Sequence, residues 1–102
     1  MSKHKGRALI IDDEEEIRES IELLLNSEGI STVTAKNGEE GLIKLEEDLF
    51  DLVLLDLMLP GKSGMDVQKD IKRMDPSLPV VIITAMAGIE SAVAAIKDSS
   101  RN

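Results

Sequence analysis

The strongest indication of the fold is the stretch Asp51-Leu52-Val53-Leu54-Leu55-Asp56-Leu57-Met58-Leu59-Pro60-Gly61. Its apolar run, residues 52–55, is typical of a strand buried on both faces, as in a parallel sheet. Asp56 stands at the carboxyl end of that strand, and Pro60-Gly61 predicts a turn after it. Ligands bind outside the carboxyl ends of strands in open α/β sheets, so Asp56 is a candidate functional residue. A lone aspartate could instead cap a loop, and the other strand ends decide between these readings.

Strand and helix patterns alternate along the rest of the chain. Apolar runs predict further strands at residues 8–11, 31–35 and 79–83, of which 31–35 is the most polar and is expected near a sheet edge. Apolar residues at helical spacing predict helices with one core-facing stripe each: Ile17, Ile21, Leu24 and Leu25; Leu42, Leu45 and Leu49; Val67, Ile71 and Met74; Ile89, Val93 and Ile96. Asn37 with Glu40, and Ser63 with Asp66, predict capped helix N-termini. Four β-α units joined by right-handed crossovers give an α/β fold, a doubly wound parallel sheet with helices on both faces.

Polar side chains follow three of these strands. Asp12 and Asp13 end the first, Asp56 ends the third and Thr84 ends the fourth, and these ends converge if strands one and three are adjacent. Three carboxylates in one cleft repel one another unless a cation neutralises them, and oxygen ligands favour Mg²⁺. A carboxylate beside Mg²⁺ can attack a phosphoryl group, to which the Thr84 hydroxyl could donate a hydrogen bond.

Composition excludes several other functions. The 102 residues form one domain, with 20 acidic against 12 basic residues and a net charge of -8. That charge disfavours direct binding to nucleic acid or to anionic membranes, and one Phe without Trp or Tyr disfavours base stacking. The absence of cysteine removes disulfides and thiol chemistry. No apolar stretch reaches membrane-spanning length or resembles a secretory signal, so a cytoplasmic location is expected.

Three segments together resemble the receiver domain of bacterial two-component response regulators, which has a flavodoxin-like fold. They occur in the family's order and cover nearly the whole chain: Ile10-Ile11-Asp12-Asp13-Glu14; Leu55-Asp56-Leu57-Met58-Leu59-Pro60-Gly61-Lys62-Ser63-Gly64-Met65; and Ile82-Ile83-Thr84-Ala85. The segment 84–97 also resembles the nitrogen-regulation type, which precedes an ATPase module that activates sigma-54 polymerase. The resemblance therefore implies a signalling domain that helps to control transcription, whose output domain is absent from this sequence.

The resemblance assigns a role to each candidate residue. Asp56 would be the phosphoacceptor, and a histidine kinase phosphohistidine or a small acyl phosphate would be the donor. Asp13 would bind Mg²⁺ directly, Asp12 would bind it directly or through water, and the backbone carbonyl of Met58 would complete the metal site. Thr84 would be the switch residue that moves toward the phosphoryl group. Such a domain is not an enzyme, beyond assisting its own phosphorylation and dephosphorylation.

The C-terminus departs from the family pattern. A fifth strand carrying a Lys that pairs with the phosphoryl group, and a fifth helix, are expected in the family, whereas residues 98–102 form a polar tail. We expect residues 1–6 to be a flexible tail. Without a fifth strand, the fourth would be an exposed edge, so self-association through that edge or through the fourth helix is expected.

Two alternative functions remain open. The first is a receiver-like binding module that no longer responds to phosphorylation, since the expected Lys is missing. The second is a phosphohydrolase with an aspartyl nucleophile. Such enzymes usually carry an acidic residue two positions after the nucleophile, and Met58 at that position argues against this class.

Overall fold

The computed structural model describes residues 6–83, which form a four-stranded parallel sheet with three helices. The elements in chain order are β1 (Arg7–Ile11), α1 (Glu15–Ser27), β2 (Ser31–Ala35), α2 (Gly38–Glu47), β3 (Leu52–Asp56), α3 (Gly64–Met74) and β4 (Val80–Ile83). The strand order is β2-β1-β3-β4, so β1 and β3 are neighbours although the chain visits β2 and two helices between them. This confirms the predicted α/β class. Thr84, the predicted fourth helix and the C-terminal tail lie outside the described residues.

The sheet has a buried layer on each face. On the α1 side, Ile21 and Leu25 of the helix pack against strand residues that include Ile10 and Leu54. On the other face, the α2 and α3 side, the core residues are Leu9, Ile11, Ala35, Val53, Leu55, Leu59, Val67, Ile71 and Leu78. All five residues of β3 are buried, as expected of a central strand that is covered by helices on both sides. Full burial of each large aliphatic side chain contributes about 1.5–3 kcal/mol.

Side-chain caps define where α2 and α3 begin. The Asn37 side-chain oxygen accepts a hydrogen bond from the Glu40 amide at 2.8 Å, and Ser63 Oγ accepts one from the Asp66 amide at 3.2 Å. The Glu40 carboxylate reaches back to the Lys36 amide at 2.7 Å, one residue before the cap. Both predicted helix starts are therefore confirmed, and each cap stabilises its helix by about 1 kcal/mol.

Three residues assigned to the core-facing stripes do not belong there. Leu49 is 89% exposed because α2 ends at Glu47, two residues before it, so the helical spacing no longer governs its direction. Leu24 lies on the solvent-facing side of α1, next to the buried Leu25. Met74 is the last residue of α3 and is also exposed. The prediction of a core position was wrong for all three.

The two outer strands of the described sheet are β2 and β4. Among the strands of residues 6–83, β2 pairs with β1 alone, which confirms that it lies at an edge of this sheet. Within residues 6–83, β4 pairs only with β3, and the residues that follow it are not described. Self-association through β4 therefore stays a prediction. None of the helices described here has the length and apolar character needed to cross a membrane.

Candidate functional site

The carboxyl ends of β1 and β3 bring three aspartates together. Register pairs Ile11 with Leu55, so the residues that follow them, Asp12 and Asp56, emerge side by side. Carboxylate oxygens of Asp12, Asp13 and Asp56 all lie within 4.8 Å of one another. Asp12 is 2% exposed and Asp56 is 9% exposed, whereas Asp13 is exposed to solvent. The predicted convergence of these carboxylates is what the structure shows.

Local hydrogen bonds hold two of these side chains in place. Asp12 Oδ1 accepts a hydrogen bond from the Glu14 amide at 2.9 Å, and Asp56 Oδ1 accepts one from the Met58 amide at 3.0 Å. Each aspartate thus bonds the amide two residues ahead, the short-range pattern that Asp favours in turns. The Asp12 amide itself donates to the Ala35 carbonyl at 3.1 Å, which ties the turn to the end of β2. One oxygen of each carboxylate is used in this way.

The electrostatics of the cluster are unbalanced. Burial raises the pKa of the Asp12 carboxyl above its ordinary value, and the neighbouring carboxylates of Asp56, Asp13 and Glu14 raise it further. The hydrogen bond from the Glu14 amide acts in the opposite direction. None of the ion pairs found among residues 6–83 includes Asp12, Asp13 or Asp56. A buried group of anions without a cationic partner is costly, and a bound cation would remove that cost.

The donor set suits a hard divalent cation. All three side chains offer oxygen, and no His or Cys stands in the cluster. Mg²⁺ binds through one or two carboxylates and keeps several waters, and the exposed Asp13 leaves an open side where water could remain. The residues present therefore fit the ion that the sequence predicted.

Met58 and Thr84, the other two candidate residues, are described to different extents. The Met58 main chain lies beside Asp56, to which its amide donates, and the Met58 side chain is 77% exposed. Thr84 lies outside the described residues. The residue before it, Ile83, is paired in register with Asp56, so β4 ends next to the acidic cluster.

Two residues that the sequence reading did not select also support the site. Arg18, on the first turns of α1, donates from Nη1 to the Asp12 main-chain carbonyl at 2.8 Å. Gly64 begins α3 so close to the loop after β3 that an added Cβ would lie 2.5 Å from Leu57 Cα and 2.7 Å from the Asp56 carbonyl oxygen. Arg18 could have been noticed in the sequence, because it is a basic residue that stands shortly after a run of five acidic residues, 12–16. No sequence pattern reveals the close approach at Gly64.

Comparison with known proteins identifies the family. The sequence model of the response regulator receiver domain matches residues 8–101. The chain is 43% identical over 89 residues to YkoG of Bacillus subtilis (strain 168), an uncharacterized transcriptional regulatory protein. The matched residues make up 87% of this chain and 39% of YkoG. It is 40% identical over 95 residues to the transcriptional regulatory protein GlrR of Escherichia coli (strain K12), covering 93% of this chain and 21% of GlrR. The chain therefore belongs to the receiver domain family of response regulators, and it spans well under half the length of these relatives.

Solved structures agree with this assignment. The chain is similar to the response regulator TrrA of Thermotoga maritima in complex with Mg²⁺-BeF, with 36% identity and a TM-score of 0.75 over 90% of this chain and 81% of that one. It is also similar to a chain in the complex of TrrA with the histidine kinase ThkA, with 40% identity and a TM-score of 0.74 over 79% of this chain and 70% of that one. The flavodoxin-like receiver fold predicted from the sequence is confirmed.

Proposed function

We propose that Asp56 accepts a phosphoryl group from a phosphohistidine of a histidine kinase, or from a small acyl phosphate. The observation that carries the proposal is the cluster of Asp12, Asp13 and Asp56 at the joined ends of β1 and β3. A kinase as partner is supported by TrrA, a similar protein whose complex with the histidine kinase ThkA has been solved.

Phosphoryl transfer requires the protein mainly to position the reacting atoms and to stabilise the charge on the phosphoryl oxygens. Asp56 Oδ1 accepts a hydrogen bond from the Met58 amide, whereas Oδ2 has no hydrogen-bond partner among residues 6–83. Oδ2 is therefore proposed as the attacking oxygen. The bond from Oδ2 to phosphorus forms while the bond from phosphorus to the donor nitrogen or oxygen breaks, and the donor leaves with the electron pair. An aspartyl phosphate and a dephosphorylated donor result.

Asp12, Asp13, Asp56 and the Met58 carbonyl are the groups that would hold Mg²⁺. The bound ion would neutralise the charge on the phosphoryl oxygens as they approach an already anionic cleft. Magnesium at a receiver site is supported by TrrA, solved in complex with Mg²⁺-BeF. Thr84, which follows the β4 strand that ends beside Asp56, is proposed as the hydroxyl donor to the transferred group and as the switch residue.

The remaining assignments are proposals about the longer protein. A cytoplasmic location is proposed because the domain would exchange phosphoryl groups with a histidine kinase, as supported by the solved complex of TrrA with ThkA. Control of transcription is supported by the names of YkoG and GlrR, both transcriptional regulatory proteins in which the matched part leaves room for an output domain. An activator of the nitrogen-regulation type is supported by the sequence segment 84–97 and by similarity to NtrX of Brucella abortus, with 36% identity and a TM-score of 0.75 over 90% of this chain and 21% of that one. The domain itself is proposed to act as an acceptor and not as an enzyme on other substrates.

Intact mass spectrometry tests the acceptor role. Incubation with acetyl phosphate and Mg²⁺ should add the mass of one phosphoryl group to the wild type and none to Asp56→Asn. Removal of Mg²⁺ by a chelator should suppress the adduct. An adduct of equal yield on Asp56→Asn would refute Asp56 as the acceptor.

A receiver-like binding module without phosphoryl chemistry is the second candidate. It is favoured by one observation: within the part of the chain that the structure describes, no Lys or Arg pairs with Asp56, and Lys62 pairs with Asp70 instead. If the wild type is not labelled under conditions that label TrrA, this second function is the correct one.

A further inference from the structure

Within residues 6–83, Arg18 contacts the turn that carries Asp12 and Asp13. Arg18 is half-buried on α1, and its Nη1 donates to the main-chain carbonyl of Asp12 at 2.8 Å, six residues back along the chain. Acidic side chains surround it in sequence, from Asp12 to Glu16 and at Glu19. Nevertheless, the ion pairs found among residues 6–83 do not include Arg18.

The choice of partner has a chemical consequence. A guanidinium can grip a carboxylate with two parallel hydrogen bonds, and such a bridge to Asp12 or Asp13 would occupy oxygens that a cation needs. Because Arg18 bonds a peptide carbonyl instead, its contact leaves those oxygens available. It also places a positive charge beside the Asp12 main chain.

The contact also constrains the backbone that leads into Asp13. The Asp12 carbonyl and the Asp13 amide belong to one planar peptide unit, so a hydrogen bond that holds the carbonyl oxygen fixes the rotation of that plane. Asp12 is additionally held through its own amide and its side chain, by Ala35 and Glu14. Asp13 is exposed, and no hydrogen bond to its side chain is found within residues 6–83. The Arg18 bond therefore constrains the peptide that precedes Asp13, and the bond from the Glu14 amide to Asp12 constrains the peptide that follows it.

We propose that Arg18 is a positioning residue that holds the peptide between Asp12 and Asp13 in the orientation required for binding a divalent cation. The proposal rests on the proposed function, since it concerns the same Mg²⁺ site. It is separate from the roles of the three aspartates, because Arg18 contacts the main chain and its guanidinium has no lone pair to offer a metal.

Two effects of removing Arg18 have opposite signs, and this makes the proposal testable. Loss of its positive charge alone would strengthen the attraction of the site for Mg²⁺. Loss of the positioning bond would weaken Mg²⁺ binding, because the carboxylates could move apart before the ion binds. Supporting groups around a metal site typically change its affinity by about 10- to 100-fold. We expect positioning to dominate, with Mg²⁺ bound at least about tenfold more weakly by Arg18→Gln.

The experiment is a Mg²⁺ titration of the whole chain followed by NMR at the amides of Asp13, Glu14 and Met58. The variants are Arg18→Gln, Arg18→Lys and the control Arg73→Gln, which removes a charge of the same sign from α3, where the Arg73 side chain is 79% exposed. We expect weaker binding for Arg18→Gln, partial recovery for Arg18→Lys and wild-type affinity for the control. Circular dichroism of each variant verifies that it is folded. Equal or tighter binding by a folded Arg18→Gln variant overturns the proposal.

A second measurement without metal separates this inference from the proposed function. The backbone ¹⁵N order parameter of Asp13 should fall in Arg18→Gln and should remain unchanged in Arg73→Gln. If the wild type does not bind Mg²⁺, the proposed metal site is wrong, and the order parameter alone decides whether Arg18 positions this turn. An unchanged order parameter in Arg18→Gln overturns the positioning role.

Discussion

Replacement of Asp12 by asparagine should stabilise the metal-free protein. Asp12 is 2% exposed, and its carboxylate lies within 4.8 Å of Asp56 and Asp13. At 4.8 Å two unit charges repel by about 0.9 kcal/mol in bulk water and by about 3.5 kcal/mol at an effective dielectric constant of about 20. Asparagine removes that repulsion together with the cost of burying a charge, and its side-chain oxygen can still accept from the Glu14 amide.

We expect Asp12→Asn to raise the free energy of unfolding by about 1–2 kcal/mol at pH 7 in the presence of a chelator. In a domain of this size each 1 kcal/mol raises Tm by roughly 4–8 °C, which is easily measured. Because the chain has no Trp or Tyr, thermal unfolding should be followed by far-UV circular dichroism. Glu46→Gln is the control, since it removes one negative charge at an exposed position near the end of α2.

The pH dependence of the free energy of unfolding tests independently whether Asp12→Asn stabilises the metal-free protein. The pKa of Asp12 is raised in the folded protein above 3.8, so the folded state holds its proton to higher pH than the unfolded state does. At a pH below the unfolded value both states are protonated, and ionisation costs the fold nothing. As pH rises through the raised pKa, the wild type loses stability that Asp12→Asn keeps. The advantage of the variant should therefore grow as pH rises from about 4 toward neutrality.

With Mg²⁺ bound, the wild type should become more stable than Asp12→Asn. A ligand that binds only the folded state at 100 times its Kd adds about 2.7 kcal/mol, and the wild type should gain more of this than Asp12→Asn. The reasoning is refuted if Asp12→Asn is no more stable than the wild type in chelator at pH 7. It is refuted equally if Mg²⁺ stabilises the two proteins by the same amount.

Three further predictions, the first with its own control substitution, concern the surroundings of the site, a helix cap and the core. Gly64→Ala should lower stability and reduce labelling of Asp56 by acetyl phosphate, because the added Cβ would meet backbone atoms of the loop after β3. Gly61→Ala is the control: its Cβ would have no other atom within 4 Å, and its φ of 74° should cost only about 1 kcal/mol while labelling is kept. Asn37→Ala should lower the free energy of unfolding by about 1 kcal/mol through loss of the α2 cap, and an unchanged denaturant midpoint would contradict the cap's role. Leu54→Ala should cost about 2–5 kcal/mol in the same assay, because Leu54 is fully buried in β3, and a loss below 1 kcal/mol would show that the core reorganises around it.

The fold was predictable because each of its determinants is local. Apolar runs such as residues 52–55 and helix caps such as Asn37 act over a few residues, and the crossover rule then leaves few topologies. The predicted core positions failed where a pattern continued beyond the element that produced it. Leu49 keeps helical spacing from Leu45, but α2 has already ended, and only the structure shows where it ends.

The sequence by itself determined the residue types of the candidate site and the strand ends on which they stand. Asp12, Asp13 and Asp56 could be selected because parallel strands place their carboxyl ends at one edge, whatever the details of packing. The approach of the oxygens to within 4.8 Å, the burial of Asp12 and Asp56, and the hydrogen bond from Arg18 to the Asp12 carbonyl are visible only in the folded domain. These depend on the register of β1 with β3 and on how α1 lies across the sheet, which are set by the packing of the whole domain and not by any neighbouring residue.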